Sequence, residues 1–133
     1  MRPFGLAPSL EEIEALARTA LERLPEPFAA TARSVLLSVE EFADEATLAE
    51  MGMEDPYELT GLYVGRPLTE RSFDESGRFP DRVFLFRSPI LLEWCETNES
   101  LEHLVTHVLV HEIGHHFGLS DEDMHLLEQA AGA

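Results

Sequence analysis

The segment from Asn98 to Phe117 constrains this chain most. Leu101, Leu104, Val105, Val108, Leu109 and Ile113 recur there at helical spacing and form one apolar stripe. Gly118 follows as a natural stop, because a residue without Cβ takes the left-handed conformation that closes a helix. A helix of this kind lies against a core along its stripe. The residues on its other face are thereby held in fixed relative positions, and among them are His103, His107, His111 and His115, each four residues from the next.

Within that helix stands His111-Glu112-Ile113-Gly114-His115. Residues four apart share a helix face, one turn above the other. Two imidazoles so placed can reach one tetrahedral zinc at about 2.0–2.1 Å. Glu112 lies beside that face, where its carboxylate can hydrogen-bond a coordinated water and take its proton. Zinc lowers the pKa of such a water toward about 7, so hydroxide becomes available at neutral pH. Beyond the Gly118 turn comes Asp121, and a chain that doubles back there would bring this carboxylate under the metal as third ligand. A fourth position would stay open, as a catalytic zinc requires. Asp121 has a competing explanation: if Ser120 caps the next helix, Asp121 is an acid in a first turn, favoured by the helix dipole. The two roles are compatible. Glu122, Asp123 and His125 are alternative third ligands, and Glu128 a more distant one.

The four-residue ladder does not make one four-histidine site, because the stripe rotates by about 40° per step. His103 and His107 are therefore expected at the surface or as hydrogen-bonding supports of the metal ligands, and His116 in packing or a similar supporting role. Tyr63, Arg66 and His125 are candidates for stabilising an oxyanion.

The run from His111 through Gly118 to Asp121 resembles the metzincin-type zinc signature in its Asp-ligand form. The whole stretch 111–123 is similar to that of small bacterial zincin-like metallopeptidases. Leu62-Tyr63-Val64-Gly65-Arg66-Pro67-Leu68 and the Val83–Phe86 segment fit the same family. The resemblance implies a minimal zincin-like domain, with His111, His115 and Asp121 as metal ligands, Glu112 as base, Zn2+ as cofactor and a peptide or protein as substrate. Full metzincins carry a Met-containing turn well downstream of the third ligand, whereas here Met124 follows almost at once.

The rest of the chain supplies a frame. Ser9 with Glu12 forms a capping-box pattern, and Leu10, Ile13, Leu16, Ala17, Ala20, Leu21 and Leu24 continue it as a helix that Pro25 and Pro27 stop. Val35–Val39, Gly61–Gly65 and Val83–Phe86 read as strands. Asp44–Met51 reads as a short helix, and Ser88-Pro89 as the start of another running to about Cys95. Arg66–Asp81 reads as a long polar loop. A last helix begins at Ser120 and runs through Leu126 and Leu127. Helices and strands without regular βαβ alternation point to an α+β fold. The expected architecture is one domain over residues 1–133, with a small three- to four-stranded sheet packed on helices.

Charge and composition narrow the function. The formal net charge is −17, and all nine basic residues are Arg. That field repels phosphodiesters and leaves no basic patch, so no nucleic-acid partner is expected. No apolar run approaches a membrane span, and no secretory signal is read at the N-terminus. A lone cysteine, Cys95, permits no internal disulfide and is expected to pack near Trp94. A cytoplasmic location is the expectation. Oligomeric state is not encoded in these features. The leading reading is a zinc-dependent hydrolase, most specifically a metallopeptidase. Two alternatives are a zinc-binding module without catalysis and a metal-dependent endoribonuclease, whose third histidine Asp121 would replace.

Overall fold

The computed structural model describes residues 5–26, 28–65 and 81–131. Helix α1 spans Leu10–Glu22, and Ser9 Oγ caps it by accepting the Glu12 N–H at 3.1 Å. After a five-residue helix α2 (Phe28–Ala32) come strand β1 (Leu36–Glu40), helix α3 (Glu45–Glu50), a 3-10 turn at Pro56–Glu58 and strand β2 (Gly61–Val64). Strand β3 (Arg82–Phe86) then runs directly into α4 (Arg87–Glu96), which is followed by α5 (Leu101–Phe117) and α6 (Asp121–Ala130).

The three strands form a mixed sheet in the order β1-β3-β2. β1 is parallel to β3 and β2 antiparallel to it. The expected α+β class holds, with three strands among the described residues. On β3 the two-residue period divides the core. Val83 and Leu85, both fully buried, face the main core with Ile13, Ala17, Leu104, Val105, Leu109 and Ile113. Phe84 and Phe86 turn to the opposite face and meet Ala43, Leu59, Leu48 and Leu62 in a second, smaller core. Thus α1 and α5 cover one face of the sheet, and side chains of the segment from Ala43 to Leu59 pack on the other.

The stripe read from α5 is buried throughout, from Leu101 to Ile113. Truncating a fully buried residue such as Ile113 to Ala costs about 2–5 kcal/mol. α5 begins at Leu101, with the apolar stripe, rather than at about Asn98: Ser100 is its cap, accepting the His103 N–H at 3.1 Å. Gly118 takes φ 68°, ψ 33°, and the Leu119 N–H donates to Gly114 O at 2.9 Å, a left-handed stop that turns the chain into α6.

Two expectations need correction, and two short elements were not expected. α4 starts at Arg87, with Phe86 in the capping position, because β3 passes into it without a loop; Pro89 is its third residue. α2 and the 3-10 turn were not legible as separate elements. Cys95 is exposed, on the outer side of α4. The Arg66–Pro80 part of the expected loop lies outside the described residues. No helix of the described residues is long and apolar enough to cross a membrane.

Candidate functional site

A helix advances about 100° per residue, so Ile113 points about 200° away from His111 and, in the other direction, from His115. With Ile113 fully buried, the two imidazoles are set outward, and both histidines are exposed. Their ring centroids lie 4.7 Å apart. Glu112 falls between the two faces and is itself buried, at 7% exposure. Its Oε1 sits 3.5 Å from His115 Nδ1.

β2 holds Glu112 in place. The Phe86 N–H donates to Thr60 O at 2.9 Å, and the ladder pairs Leu62 with Phe84. By the alternation of an antiparallel pair, Gly61 and Tyr63 then turn their backbone groups away from β3. The Tyr63 N–H hydrogen-bonds the Glu112 carboxylate there. Gly61 allows β2 to approach this closely: a Cβ on it would lie 2.8 Å from Val108 Cγ1 and 3.2 Å from Glu112 Cγ. Burial pushes the Glu112 carboxyl above the usual carboxylate range, against the opposing pull of the His111 charge and of the Tyr63 N–H.

The outgoing helix is fitted to the same segment. Ser120 Oγ caps α6 by accepting the Asp123 N–H at 3.2 Å. Asp121, the first residue of α6, is exposed in a first turn shared with Glu122 and Asp123, where the helix dipole favours acids. Two of the expected ligands, His111 and His115, stand together. The third does not complete them: among the described residues no group of three or more His, Cys, Asp or Glu is gathered in a position to hold a metal. The nitrogen pair, with a carboxylate as third donor, is nonetheless a donor set suited to zinc and poorly suited to magnesium or calcium.

The supporting residues divide. The Tyr63 hydroxyl donates to Asp81 Oδ2 at 2.9 Å and so ties the end of β2 to the start of β3. His125 Nε2 lies 3.3 Å from Gln129 Nε2 on its own helix. Arg66 and the His116 side chain lie outside the described residues. Glu128, considered above as a distant ligand, is engaged one turn before His111, where His107 Nδ1 lies 2.8 Å from its Oε2. Sequence reasoning missed the contributions of Gly61 and the Tyr63 main chain, since a backbone N–H carries no residue signature. The burial of Glu128 was legible in principle. Met124, Leu127, Glu128 and Ala131 recur at helical spacing, with one charge in an apolar stripe.

A family model for zincin-like metallopeptidases matches residues 32–131, which is 100 of the 133 residues. A comparison with curated proteins gives no match.

Proposed function

The chain belongs to the zincin-like metallopeptidase family, and from that premise we propose that it is a zinc-dependent peptidase in which Glu112 is the general base. His111 and His115 would hold the metal with Asp121 as third ligand. When bound, zinc supplies Lewis-acid charge that makes water a nucleophile at neutral pH and polarises the scissile carbonyl. Glu112 accepts the proton of the attacking water on its carboxylate as the new C–O bond forms. It then gives that proton to the amine nitrogen as the C–N bond breaks.

The observation that carries this reading is the setting of Glu112. A carboxylate buried behind two outward imidazoles, with its pKa raised by that burial, is a better proton acceptor than an exposed carboxylate and can return the proton it takes. A buried acid on the core side of a surface helix is otherwise a cost to folding. The net charge of −17 supports a peptide rather than a nucleic acid as substrate.

Glu112→Gln tests the reading. It keeps the shape and the hydrogen bond from Tyr63 but removes the base. The variant is expected to retain zinc and fold and to lose hydrolysis of a peptide library by about 10²–10⁴-fold. A Glu112→Gln protein as active as wild type would contradict the mechanism. A zinc-loaded wild type that cleaves nothing across the library would instead mark a non-catalytic zinc module.

A further inference from the structure

Glu128 is a carboxylate in an apolar stripe, 9% exposed, on the face of α6 that packs on α5. A buried acid needs a partner, and removing the partner from a buried charge is expensive. Here the partners come from α5: His107 Nδ1 lies 2.8 Å from Oε2, and His103 Nε2 lies 3.7 Å from Oε1. Glu99 also approaches His103, at 3.9 Å. One turn earlier on α6, Met124 packs over Gly114, inside the His111–His115 segment. The two anchors are four residues apart on α6 and seven apart on α5, with opposite chain sense, so α6 runs back along α5. The polar anchor fixes a hydrogen-bonding direction, which an apolar contact cannot do.

The proposed metal centre takes His111 and His115 from α5 and Asp121 from the first residue of α6. Asp121 is not gathered to the histidines among the described residues, so the relative seating of these two helices decides whether it can reach them when metal binds. We propose that Glu128 is a positioning residue for that centre: through its hydrogen bond with His107 it fixes α6 on α5 and sets where Asp121 stands relative to the histidine pair. This rests on the ligand set proposed above. His107 is thereby a supporting residue, with its ring centroid 6.5 Å from that of His111.

The test is a zinc titration of the full chain against a chromophoric chelator. It compares wild type, Glu128→Ala, Glu128→Gln and Leu127→Ala, with thermal melting of each zinc-free protein alongside. Leu127 is 4% exposed and neighbours Glu128 on the same helix, so it reports loss of packing without loss of the hydrogen bond. Glu128→Ala is expected to weaken zinc by about 10–100-fold, the usual cost of removing a group that orients a metal site. Glu128→Gln should recover most of that affinity, since its amide oxygen can still accept from His107 Nδ1–H. Leu127→Ala should melt lower and bind zinc close to wild type. Wild-type affinity in Glu128→Ala would overturn the inference, as would a loss in Leu127→Ala equal to that in Glu128→Ala. A Gln variant as weak as the Ala variant would exclude the hydrogen bond as the route. A wild type that takes up no zinc would refute the site reading itself, and this inference with it.

Discussion

Met124 lies over Gly114, so closely that a Cβ on the glycine would stand 2.6 Å from Met124 Cγ and 2.7 Å from its sulfur. The position is buried and helical, and any side chain there would have to displace α6 or refold the methionine. Gly114 therefore admits the final helix to the histidine segment. On helix propensity alone Gly114→Ala would gain up to about 1 kcal/mol. The collision should outweigh that gain, since overpacking a core costs about 1–3 kcal/mol. Gly114→Ala is expected to destabilise the wild type and to stabilise a Met124→Ala background. Denaturant midpoints of the four proteins in that cycle give the sign directly. A substitution that is equally favourable in both backgrounds would contradict the packing account.

Gly61 makes a parallel prediction about activity. Its missing side chain lets β2 lie against Val108 and Glu112. Gly61→Ala would push β2 outward, and with it the Tyr63 N–H that holds the Glu112 carboxylate. Hydrolysis is expected to fall more than stability does, because the collision falls on the Glu112 side chain itself, whose Oε1 sits 3.5 Å from His115 Nδ1. Steady-state rates on a cleavable peptide, with metal content measured on the same preparation, check it. Full activity in a folded Gly61→Ala protein would remove β2 from the account.

Stability in acid should depend on Glu41. The Ser88 hydroxyl, in close contact, and Arg87 Nη1, at 2.9 Å, both donate to its carboxylate. Arg87 also donates from Nε to Pro8 O at 2.6 Å. The Ser88 hydrogen bond, aided by Arg87, holds the Glu41 carboxyl below its usual range. Between the folded and unfolded values the unfolded chain then binds more protons, so stability rises with pH across that window. The contribution is complete above the unfolded value and is lost as pH falls through the folded one. Glu41 is an exposed group, so the effect is at most about 1 kcal/mol. Glu41→Gln should flatten this part of the acid limb when unfolding midpoints are followed across the acid range. An unchanged slope would show that the contact contributes nothing in solution.

Much of the fold was legible because it rests on period and on caps. The α5 stripe, the stop at Gly118 and the serine caps of α1 and α6 each follow from one local rule, and no distant partner is needed to apply them. α2 was hidden by its length, since five residues give too little period to read. The start of α4 was displaced because Ser88-Pro89 imitates a cap, while the chain enters that helix directly from β3. Within the site, His111, Glu112 and His115 follow from spacing alone. What their sequence cannot carry is tertiary: the Tyr63 N–H on Glu112, the fit of Met124 on Gly114, and the Glu128–His107 contact join residues far apart in the chain. Asp121 shows the limit most clearly. Its sequence is compatible with both a helix-start acid and a ligand, and the structure shows it in a first helical turn without gathering it to the histidines.

The central claim is that His111 and His115 bind zinc, and metal analysis by mass spectrometry tests it most directly. Wild-type protein purified without added chelator should carry about one zinc per chain, as a single catalytic site requires. Asp121→Ala should hold that zinc more weakly, and the His111→Ala, His115→Ala double variant should hold essentially none while still folding. Zinc content in the double variant equal to that of the wild type would contradict the claim.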